Sequence, residues 1–433
     1  MKVLIIGSGG REHALATAYA KNERVKKVLV APGNGLMDYF SKKIFIFPYI
    51  RAADFQSIAD LAKKEAVDLV DVAADNQLAE RYVDKFQKLG IKTFGPTQKQ
   101  AEIEWSKDWA RKFMQKYNLP IPRFKSFNNP NDAILYIEKI EEQPLYIKAS
   151  GLASGKGAIR AETKDEAKKA IHLMKEFGKA GEVFLIEETM IGEEFSLFAI
   201  CDGDNYKIIN AAQDHKTVYE KDRGPNTGGM GCMAKAAVVT QKVVREVERK
   251  VLKPFINGMQ KEGRPYSGIL YVGGMLTSDG VKLVEFNARW GDPEAEVILP
   301  GITKDYITIV EGVLEKDLKK IKISTDKKVR VSVAACAFGY PNNYSYVKGK
   351  EIFGIPEVSK LKNVKIFGAG IIRKENRFFV NGGRVLHIVA KGKNIIEARR
   401  RAYRAMAFIH VEGNNLHFRT DIGWRDVARF YSE

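Results

Sequence analysis

A short alternating segment carries the side chains best suited to hold a metal ion. Residues 281–289 alternate apolar and polar positions, a pattern typical of a β-strand. Side chains two residues apart share one face of a strand, so Glu285, Asn287 and Arg289 are predicted to point the same way. Two hard oxygen ligands beside a guanidinium suit Mg²⁺ that bridges nucleotide phosphates, with Arg289 on a transferring phosphoryl group. Taken alone, the segment is also compatible with a half-exposed strand that has a polar face.

A glycine-rich segment at residues 151–157 is a second candidate for phosphate contact. It differs from a Walker loop because three residues, not four, separate Gly151 from Gly155, and because Gly157 replaces the Ser or Thr that holds magnesium. Strand patterns on both sides predict a hairpin that folds over nucleotide phosphates as a mobile lid and carries Ser154 and Lys156.

Three acids and one lysine extend this site. Lys148 lies in an otherwise apolar strand, residues 145–149, and needs an anionic partner if it points inward. A strand in which the Lys148 side chain faces water is an equally favoured interpretation. Glu187 and Glu188 close the next strand, whose end could present backbone groups to an adenine edge, and Glu194 could take ribose hydroxyls. The alternative interpretation is that these acids have no ligand and lie on a loop beside a basic protein surface.

Two further glycine-rich turns could contact a substrate. The turn at residues 7–10 lies between a strand and a helix, where backbone amides can approach a phosphate. It is not a dinucleotide fingerprint, because Glu12 takes the sixth position, and a nicotinamide enzyme is disfavoured. The second turn, residues 224–231, follows Asp214 and Lys216; a plain flexible turn is its alternative interpretation.

The elements that must position these residues fall into three regions. Strands alternate with helices over residues 3–94, including a helix predicted at 78–89, and this order predicts an open parallel sheet. Strands and helices continue to about residue 310, and a β-rich tail follows. We predict domains at residues 1–103, 104–315 (with a small lid lobe at about 121–188) and 316–433.

Composition narrows the class of protein. The chain has 433 residues, a hydrophobic fraction of 45% and a net charge of +18. These values fit a globular protein, and with no run of eighteen apolar residues we expect no membrane helix. The three cysteines stand far apart, which argues against a zinc site or disulfide framework and favours a reducing cytoplasm. The basic charge raises the prior for nucleic acid, but the lysines are interleaved with acids, so a solvated surface or attraction for phosphorylated metabolites is preferred.

Together, these motifs resemble the ATP-grasp ligases, and more closely the phosphoribosylamine–glycine ligase family. The resemblance runs in family order over nearly the whole chain. The matching segments lie at residues 7–14, 31–34, 94–97, 213–216, 224–231, 285–294 and 419–425. The chain departs from the family pattern at residues 73–78, which read Ala-Ala-Asp-Asn-Gln-Leu instead of Gly-Pro-Glu-x-Pro-Leu, and at Trp290, where Phe is usual.

The resemblance implies an α/β protein with an N-terminal open-sheet domain, a two-lobed ATP-grasp core and a small β-rich C-terminal domain. It implies ligation of glycine to 5-phosphoribosylamine, with ATP and Mg²⁺ or Mn²⁺, in a monomer or weak homodimer without nucleic-acid or membrane partners. A carboxylase-type ATP-grasp enzyme and a nucleic-acid-binding relic of an enzyme scaffold are the alternatives. The implied site residues are Lys107, Lys148, Ser154, Gly155, Lys156, Glu187, Glu188 and Glu194 for ATP; Glu285 and Asn287 for metal; Gly7, Gly9, Gly10, Lys216, Asn226, Gly228, Gly229 and Asp292 for substrates; and Arg289, Lys148 and Asp214 for catalysis.

Overall fold

The N-terminal region is an open parallel sheet covered by helices. The computed structural model describes residues 1–153 and 155–432. The sheet has the order β3-β2-β1-β4-β5 with every pair parallel, as predicted. Its strands are β1 (Lys2–Gly7), β2 (Lys27–Pro32), β3 (Ile44–Ile46), β4 (Leu69–Asp71) and β5 (Thr93–Phe94). The helices are α1 (Gly10–Ala20), α2 (Phe55–Lys64), α3 (Asp75–Ala79), α4 (Tyr82–Lys88) and α5 (Gln98–Trp105).

The central strand shows why this sheet forms where it does. Val3, Leu4, Ile5 and Ile6 are fully buried, because β1 lies between two strands and has helices on both faces. The helix predicted at 78–89 is wrong in one respect. It is two helices, α3 and α4, because Arg81 between them adopts a left-handed φ of 67° that a continuous helix cannot contain.

A small antiparallel lobe follows. Its strands pair in the order β6-β9-β7-β8, with two helices packed against the sheet and a 3₁₀ segment at Met174–Gly181. The elements are α6 (Lys107–Lys116), which leads into it, then β6 (Phe124–Phe127), α7 (Pro130–Lys139), β7 (Leu145–Ala149), β8 (Ala158–Ala161), α8 (Lys164–Leu173) and β9 (Phe184–Glu188). β7 and β8 have the bounds expected from the sequence and pair antiparallel, so the predicted hairpin is confirmed.

The larger lobe supplies most of a nine-stranded sheet. Its elements are β10 (Glu193–Asp202), β11 (Tyr206–Asp214), β12 (Thr217–Tyr219), β13 (Arg223–Asn226), β14 (Gly231–Ala234), α9 (Gln241–Val247), α10 (Lys253–Lys261), β15 (Ser267–Thr277), β16 (Gly280–Asn287), α11 (Glu294–Ile298) and α12 (Tyr306–Leu314). The C-terminal region adds β17 (Val329–Ala337), β18 (Glu351–Phe353), α13 (Ile355–Ser359), β19 (Val364–Gly368), β20 (Ile371–Lys374), β21 (Arg377–Val380), β22 (Arg384–Gly392), α14 (Ile395–Met406), β23 (His410–Val411), β24 (Leu416–His417) and α15 (Trp424–Ser432).

This large sheet joins two of the predicted domains. Its order is β16-β15-β10-β11-β14-β17-β22-β19, with β24 beside β17, and β14 pairs antiparallel with β17. A second C-terminal sheet has the order β20-β21-β18-β23. The domain bounds themselves stay a prediction, but the strands on either side of residue 316 share one set of ladder hydrogen bonds. Within the described ranges, every helix is too short or too polar to cross a bilayer.

Candidate active site

A cavity lies over neighbouring strands of the large sheet. It is lined by Glu194, Phe195, Ser196, Asp214, Lys216, Tyr271, Gly273, Gly274, Val284 and Glu285. The strand order β16-β15-β10-β11 places these residues side by side although Glu194 and Glu285 are 91 positions apart in the chain. Four predicted site residues, Glu194, Asp214, Lys216 and Glu285, therefore share one cavity.

Glu285 is an ionised carboxylate among lysines. It pairs across the sheet with Gly273 of β15, whose missing side chain leaves room for the glutamate. Burial opposes ionisation, but Lys216, Lys107 and Lys148 together hold the pKa of Glu285 below its usual value. A carboxylate oxygen is a ligand that hard divalent ions such as Mg²⁺ prefer, and the surrounding lysines suit the phosphates of a nucleotide. The residues present therefore fit a nucleotide-bound divalent ion.

Asn287 and Arg289 lie beside one another at the end of β16. Arg289 Nη2 is 3.4 Å from Asn287 Oδ1 and 2.8 Å from Glu104 Oε1. Glu104, on α5, also accepts a hydrogen bond from the amide of Ala288 at 2.7 Å. The guanidinium is thus held by an acid from the N-terminal part of the chain, which the sequence alone did not suggest.

We call Glu187 and Glu188, at the end of β9, the hinge, because they lie where the small lobe passes into the larger one. The hinge acid Glu187 is engaged by two cations. Its carboxylate receives hydrogen bonds from Arg111 Nε at 2.6 Å, Arg111 Nη2 at 2.8 Å and Lys148 Nζ at 2.7 Å. These cations outweigh the cost of burial and lower the pKa of Glu187 to about 2. Lys148 therefore points inward, with 13% of its side chain exposed, and Glu187 serves as its counter-ion. Glu188 instead pairs with Arg123 at the surface.

Arg111 is a site residue that the sequence analysis missed. It is 3% exposed, lies on α6, and also donates to the carbonyl of Val284 on β16 at 2.7 Å. It thus connects the hinge strand β9 to the strand that carries Glu285. A charged residue at a buried position of an amphipathic helix is the only signal that could have indicated it, and that signal does not say which acid it meets.

Lys107 and the lid flank this hinge. The amide of Lys107 donates to the carbonyl of Ser150 at 2.8 Å, which ties the start of α6 to the end of β7. Burial lowers the pKa of Lys107, and Glu285 opposes that shift. In the lid, Gly155 has a left-handed φ of 76°, and both it and Lys156 are exposed. Ser154 lies outside the described residues.

The glycine turn at residues 7–10 already has anionic partners. The amide of Gly9 donates to Glu12 Oε2 at 2.7 Å, and the amide of Arg11 donates to Asp292 Oδ2 at 3.3 Å. A phosphate at this turn would compete with both carboxylates. The turn does lie beside Asp292, another predicted substrate residue.

Arg384 links the glycine-rich loop at residues 224–231 to Asp292. Its Nη1 donates to the carbonyl oxygens of Gly228 at 2.6 Å and Asp292 at 3.0 Å, and lies 2.9 Å from Asp292 Oδ1. Gly229 approaches Asp214 closely enough that a Cβ there would lie 2.8 Å from its Oδ1. Asn226, by contrast, is exposed on β13. The Gly382-Gly383 pair before Arg384 is a signal of close backbone approach that could have indicated it.

The remaining polar residues of the 213–216 segment have different roles. Burial and the nearby Glu294 raise the pKa of Asp214 well above its usual value, although Lys216 opposes the shift. Lys216 Nζ lies 2.7 Å from Glu194 Oε2. His215 is buried and accepts a hydrogen bond from the amide of Gly423 at 3.0 Å, which connects this segment to the C-terminal region.

The segment that departs from the family pattern also faces this region. Arg289 and Arg11 hold the pKa of Asp75 below its usual value, although burial opposes them. A carboxylate is therefore retained at this position, where the family pattern has Glu.

Comparisons with known proteins agree along the whole chain. Family models for the phosphoribosylglycinamide synthetase N domain, ATP-grasp (A) domain and C domain match residues 1–104, 105–295 and 330–425. Phosphoribosylamine–glycine ligase of Caldanaerobacter subterraneus subsp. tengcongensis is 40% identical over 98% of this chain and 99% of its own length. The human trifunctional purine biosynthetic protein adenosine-3 is 40% identical over 99% of this chain, which corresponds to 42% of that protein.

Solved structures agree as well. The crystal structure of phosphoribosylamine–glycine ligase from Thermotoga maritima has a TM-score of 0.80 and 31% identity, over 98% of this chain and all of that one. Biotin carboxylase of Campylobacter jejuni, at 14% identity, shares the fold with a TM-score of 0.73 over 98% of this chain and 94% of its own. The predicted fold class is thereby confirmed, and the chain belongs to the phosphoribosylamine–glycine ligase (phosphoribosylglycinamide synthetase) family of ATP-grasp proteins.

Proposed function

We propose that this protein joins glycine to 5-phosphoribosylamine in de novo purine biosynthesis, converting ATP to ADP and phosphate and yielding glycinamide ribonucleotide. The observation that carries the proposal is the match of three family models to residues 1–104, 105–295 and 330–425, combined with a cavity in which three lysines lower the pKa of Glu285. Relatives named phosphoribosylamine–glycine ligase match nearly the whole chain at about 40% identity.

The reaction consists of two displacements. A carboxylate oxygen of glycine attacks the γ-phosphorus of ATP, the bond to the ADP oxygen breaks, and glycyl phosphate forms. The amine of phosphoribosylamine then attacks the acyl carbon, phosphate leaves, and the nitrogen loses a proton. Positioning and charge stabilisation are the main tasks of the protein, together with exclusion of water from the acyl phosphate.

Lys107, Lys148 and the end of β16 would hold the triphosphate of ATP. Lys107 and Lys148 are the cations that contact ATP phosphates in this proposal, and the hairpin lid covers them. Glu285 and Asn287 would hold Mg²⁺ or Mn²⁺, which neutralises phosphate charge and orients the oxygens. Arg289 would steady the transferring phosphoryl group, and its ion pair with Glu104 keeps it at the end of β16.

The adenosine end would lie along the hinge. Backbone groups at Glu187 and Glu188 would meet the adenine edge, because both oxygens of Glu187 already contact Arg111 and Lys148. Glu194, with 46% of its side chain exposed and one oxygen paired with Lys216, would take the ribose hydroxyls.

The second substrate would bind on the Asp214 side of the cavity. Asp214 and Lys216 line the cavity, and Arg384 Nη1 joins Gly228 to Asp292, which contacts the amide of Arg11 just after the turn at residues 7–10. Burial and Glu294 raise the pKa of Asp214, so this carboxyl group holds a proton more tightly than an ordinary aspartate and is a candidate for acid–base catalysis. We assign it to the amine of phosphoribosylamine.

The setting of the reaction is part of the proposal. We place the protein in the cytoplasm as a monomer or weak homodimer acting on small molecules. In the described part of the chain all three cysteines are buried and unpaired, which supports a reducing compartment.

The test is a phosphate-release assay with each substrate omitted in turn. We expect release of phosphate only when ATP, glycine and phosphoribosylamine are present together. ADP formation that requires bicarbonate and ignores glycine would contradict the proposal and indicate a carboxylase-type enzyme. Duplex binding that weakens steeply with added salt, in a protein without turnover, would indicate a nucleic-acid-binding relic.

A further inference from the structure

Three metal-ligating side chains converge where the core meets the C-terminal region. Asp292 precedes α11, Glu296 lies on α11, and His387 lies on β22; one ligand atom from each lies within 4.8 Å of the other two. The start of α1 covers them so closely that a Cβ at Gly10 would lie 2.2 Å from Glu296 Oε1. These residues are distinct from Glu285 and Asn287.

Two of the three side chains are fully buried and carry polar atoms that have no partner among the described residues. Glu296 and His387 are both 0% exposed. Among the residues that the structure describes, neither carboxylate oxygen of Glu296 nor Nε2 of His387 has a hydrogen-bond partner. Buried polar atoms are almost always paired, because leaving them unpaired forfeits the hydration they had in the unfolded chain. Two of these unpaired atoms, Glu296 Oε1 and His387 Nε2, lie 3.8 Å apart within the cluster, so a partner belongs between them.

The distances fit ligands that share one ion. His387 Nε2 is 3.8 Å from Asp292 Oδ1 and 3.8 Å from Glu296 Oε1. These separations are too long for hydrogen bonds. Nitrogen and oxygen ligands bind Zn²⁺ at about 2.0–2.2 Å, so two ligands of one ion lie at most roughly 4.4 Å apart.

We propose that Asp292, Glu296 and His387 form a binding site for one divalent transition-metal ion of the Zn²⁺ class. An imidazole nitrogen with two carboxylates favours such an ion over Mg²⁺, which takes oxygen ligands. Ser332 Oγ lies 3.5 Å from Nδ1 on the other side of the His387 ring, and a proton on Nδ1 leaves the Nε2 lone pair for the ion.

The neighbouring charges rank the three ligands. Asp292 Oδ1 lies 2.9 Å from Arg384 Nη1, so the ion shares this carboxylate with a guanidinium. Glu296 has both oxygens available and is the stronger acidic ligand. An ion there ties α11 of the core to β22 of the C-terminal region, beneath the start of α1. The site therefore stabilises the junction of three parts of the protein, and this inference does not depend on the proposed ligase activity.

The test measures Zn²⁺ in the full-length protein without nucleotide. Wild-type protein is stripped with a chelator, dialysed against Zn²⁺ alone, and analysed for metal content. We expect one bound Zn²⁺ per chain, and in Glu296→Gln an affinity reduced by more than about 100-fold, the upper end of losses seen when an outer partner of a ligand is removed. Glu357→Gln, at an exposed acid on α13, is the control and should keep the wild-type Zn²⁺ affinity.

Two outcomes would overturn the site: wild type that binds no more Zn²⁺ than Glu296→Gln, or Glu357→Gln that loses the ion while Glu296→Gln keeps it. Thermal unfolding supplies a second measurement, because Zn²⁺ should raise the unfolding temperature of wild type and not of Glu296→Gln. If that variant does not fold, His387→Gln replaces it. If neither folds, a wild-type unfolding temperature unchanged by Zn²⁺ rejects the proposal.

Discussion

Glu187 in the hinge and Glu296 at the core–C-terminal junction are equally hidden from solvent, at 2% and 0% exposure, yet their surroundings are opposite. Glu187 receives hydrogen bonds from Arg111 and Lys148, and its pKa falls to about 2. Burial raises the pKa of Glu296 well above its usual value, and nearby Asp292 adds to the shift. Burial by itself therefore does not set the state of an acid in this protein; its cationic partners do.

A third acid lies between these extremes. Asp71, at the end of β4, is 2% exposed and accepts a hydrogen bond from the neutral hydroxyl of Tyr19 at 2.7 Å. Burial raises its pKa to about 7, with the Tyr19 hydrogen bond opposing the shift. The three buried acids thus differ in pKa because they differ in partner. Glu187 has two cations, Asp71 has one hydroxyl, and the carboxylate oxygens of Glu296 have no partner among the described residues.

The largest effect on turnover is expected at Glu285, whose carboxylate lies near cations but is not fully enclosed by them. Glu285→Gln should reduce turnover by at least about 10²–10³-fold, because it removes charge that positions the metal–phosphate group. The measurement is phosphate release under saturating substrates, with circular dichroism to confirm the fold. Glu357→Gln, an exposed acid on α13, is the control and should retain wild-type turnover. Wild-type-like turnover in Glu285→Gln would remove the metal assignment.

Glu187 should matter most for stability. Glu187→Gln leaves Arg111 and Lys148 without their buried counter-ion and should lower the free energy of unfolding by about 3–5 kcal/mol. Chemical denaturation measures it. The neighbouring Glu188→Gln breaks only a surface pair with Arg123 and should cost less than about 1 kcal/mol. Equal losses of unfolding free energy in the two variants would mean that the buried contacts of Glu187 with Arg111 and Lys148 stabilise the protein no more than a surface pair does.

Asp71 should reveal itself through pH. Its folded pKa of about 7 lies above the usual value of 3.8, so the folded state binds the extra proton between these values. Wild-type stability should therefore fall as pH rises from about 4 to 7, by up to about 1.4 kcal/mol per pH unit from this residue. Asp71→Asn removes this slope, so its stability relative to wild type should increase over that window. The exposed Asp60→Asn should leave the slope unchanged; an unchanged slope in Asp71→Asn would contradict the raised pKa.

The smallest effect is expected at Glu296 in metal-free buffer. Glu296→Gln replaces a buried acid that has no cationic partner, so the free energy of unfolding should change by less than about 1 kcal/mol, or rise. Denaturation in the presence of a chelator tests this. A loss as large as that of Glu187→Gln would show that Glu296 has a stabilising partner even without a metal ion.

Local patterns of the chain predicted those parts of the site that lie within one element. The apolar run of β1 and the hairpin of β7 and β8 follow from residue types and spacing within a few positions. The same pattern left the orientation of Lys148 open, and the structure decided it through the contact with Glu187. The break at Arg81 did not, because a left-handed residue other than glycine leaves no clear pattern in the surrounding sequence. The roles of Lys107, Glu285, Asn287 and the other predicted site residues remain predictions until tested.

The sequence by itself determined the parallel N-terminal sheet, the lid hairpin and the family, because periodicity and ordered motifs are properties of neighbouring residues. Only the tertiary structure decided which charges meet. Arg111 lies 76 positions from Glu187 and Glu104 is 184 positions from Ala288, while Glu296 and His387 come together from separate regions. Charges interact over a few ångströms in space, and the distance between residues along a chain says nothing about that separation until the sheet order is known.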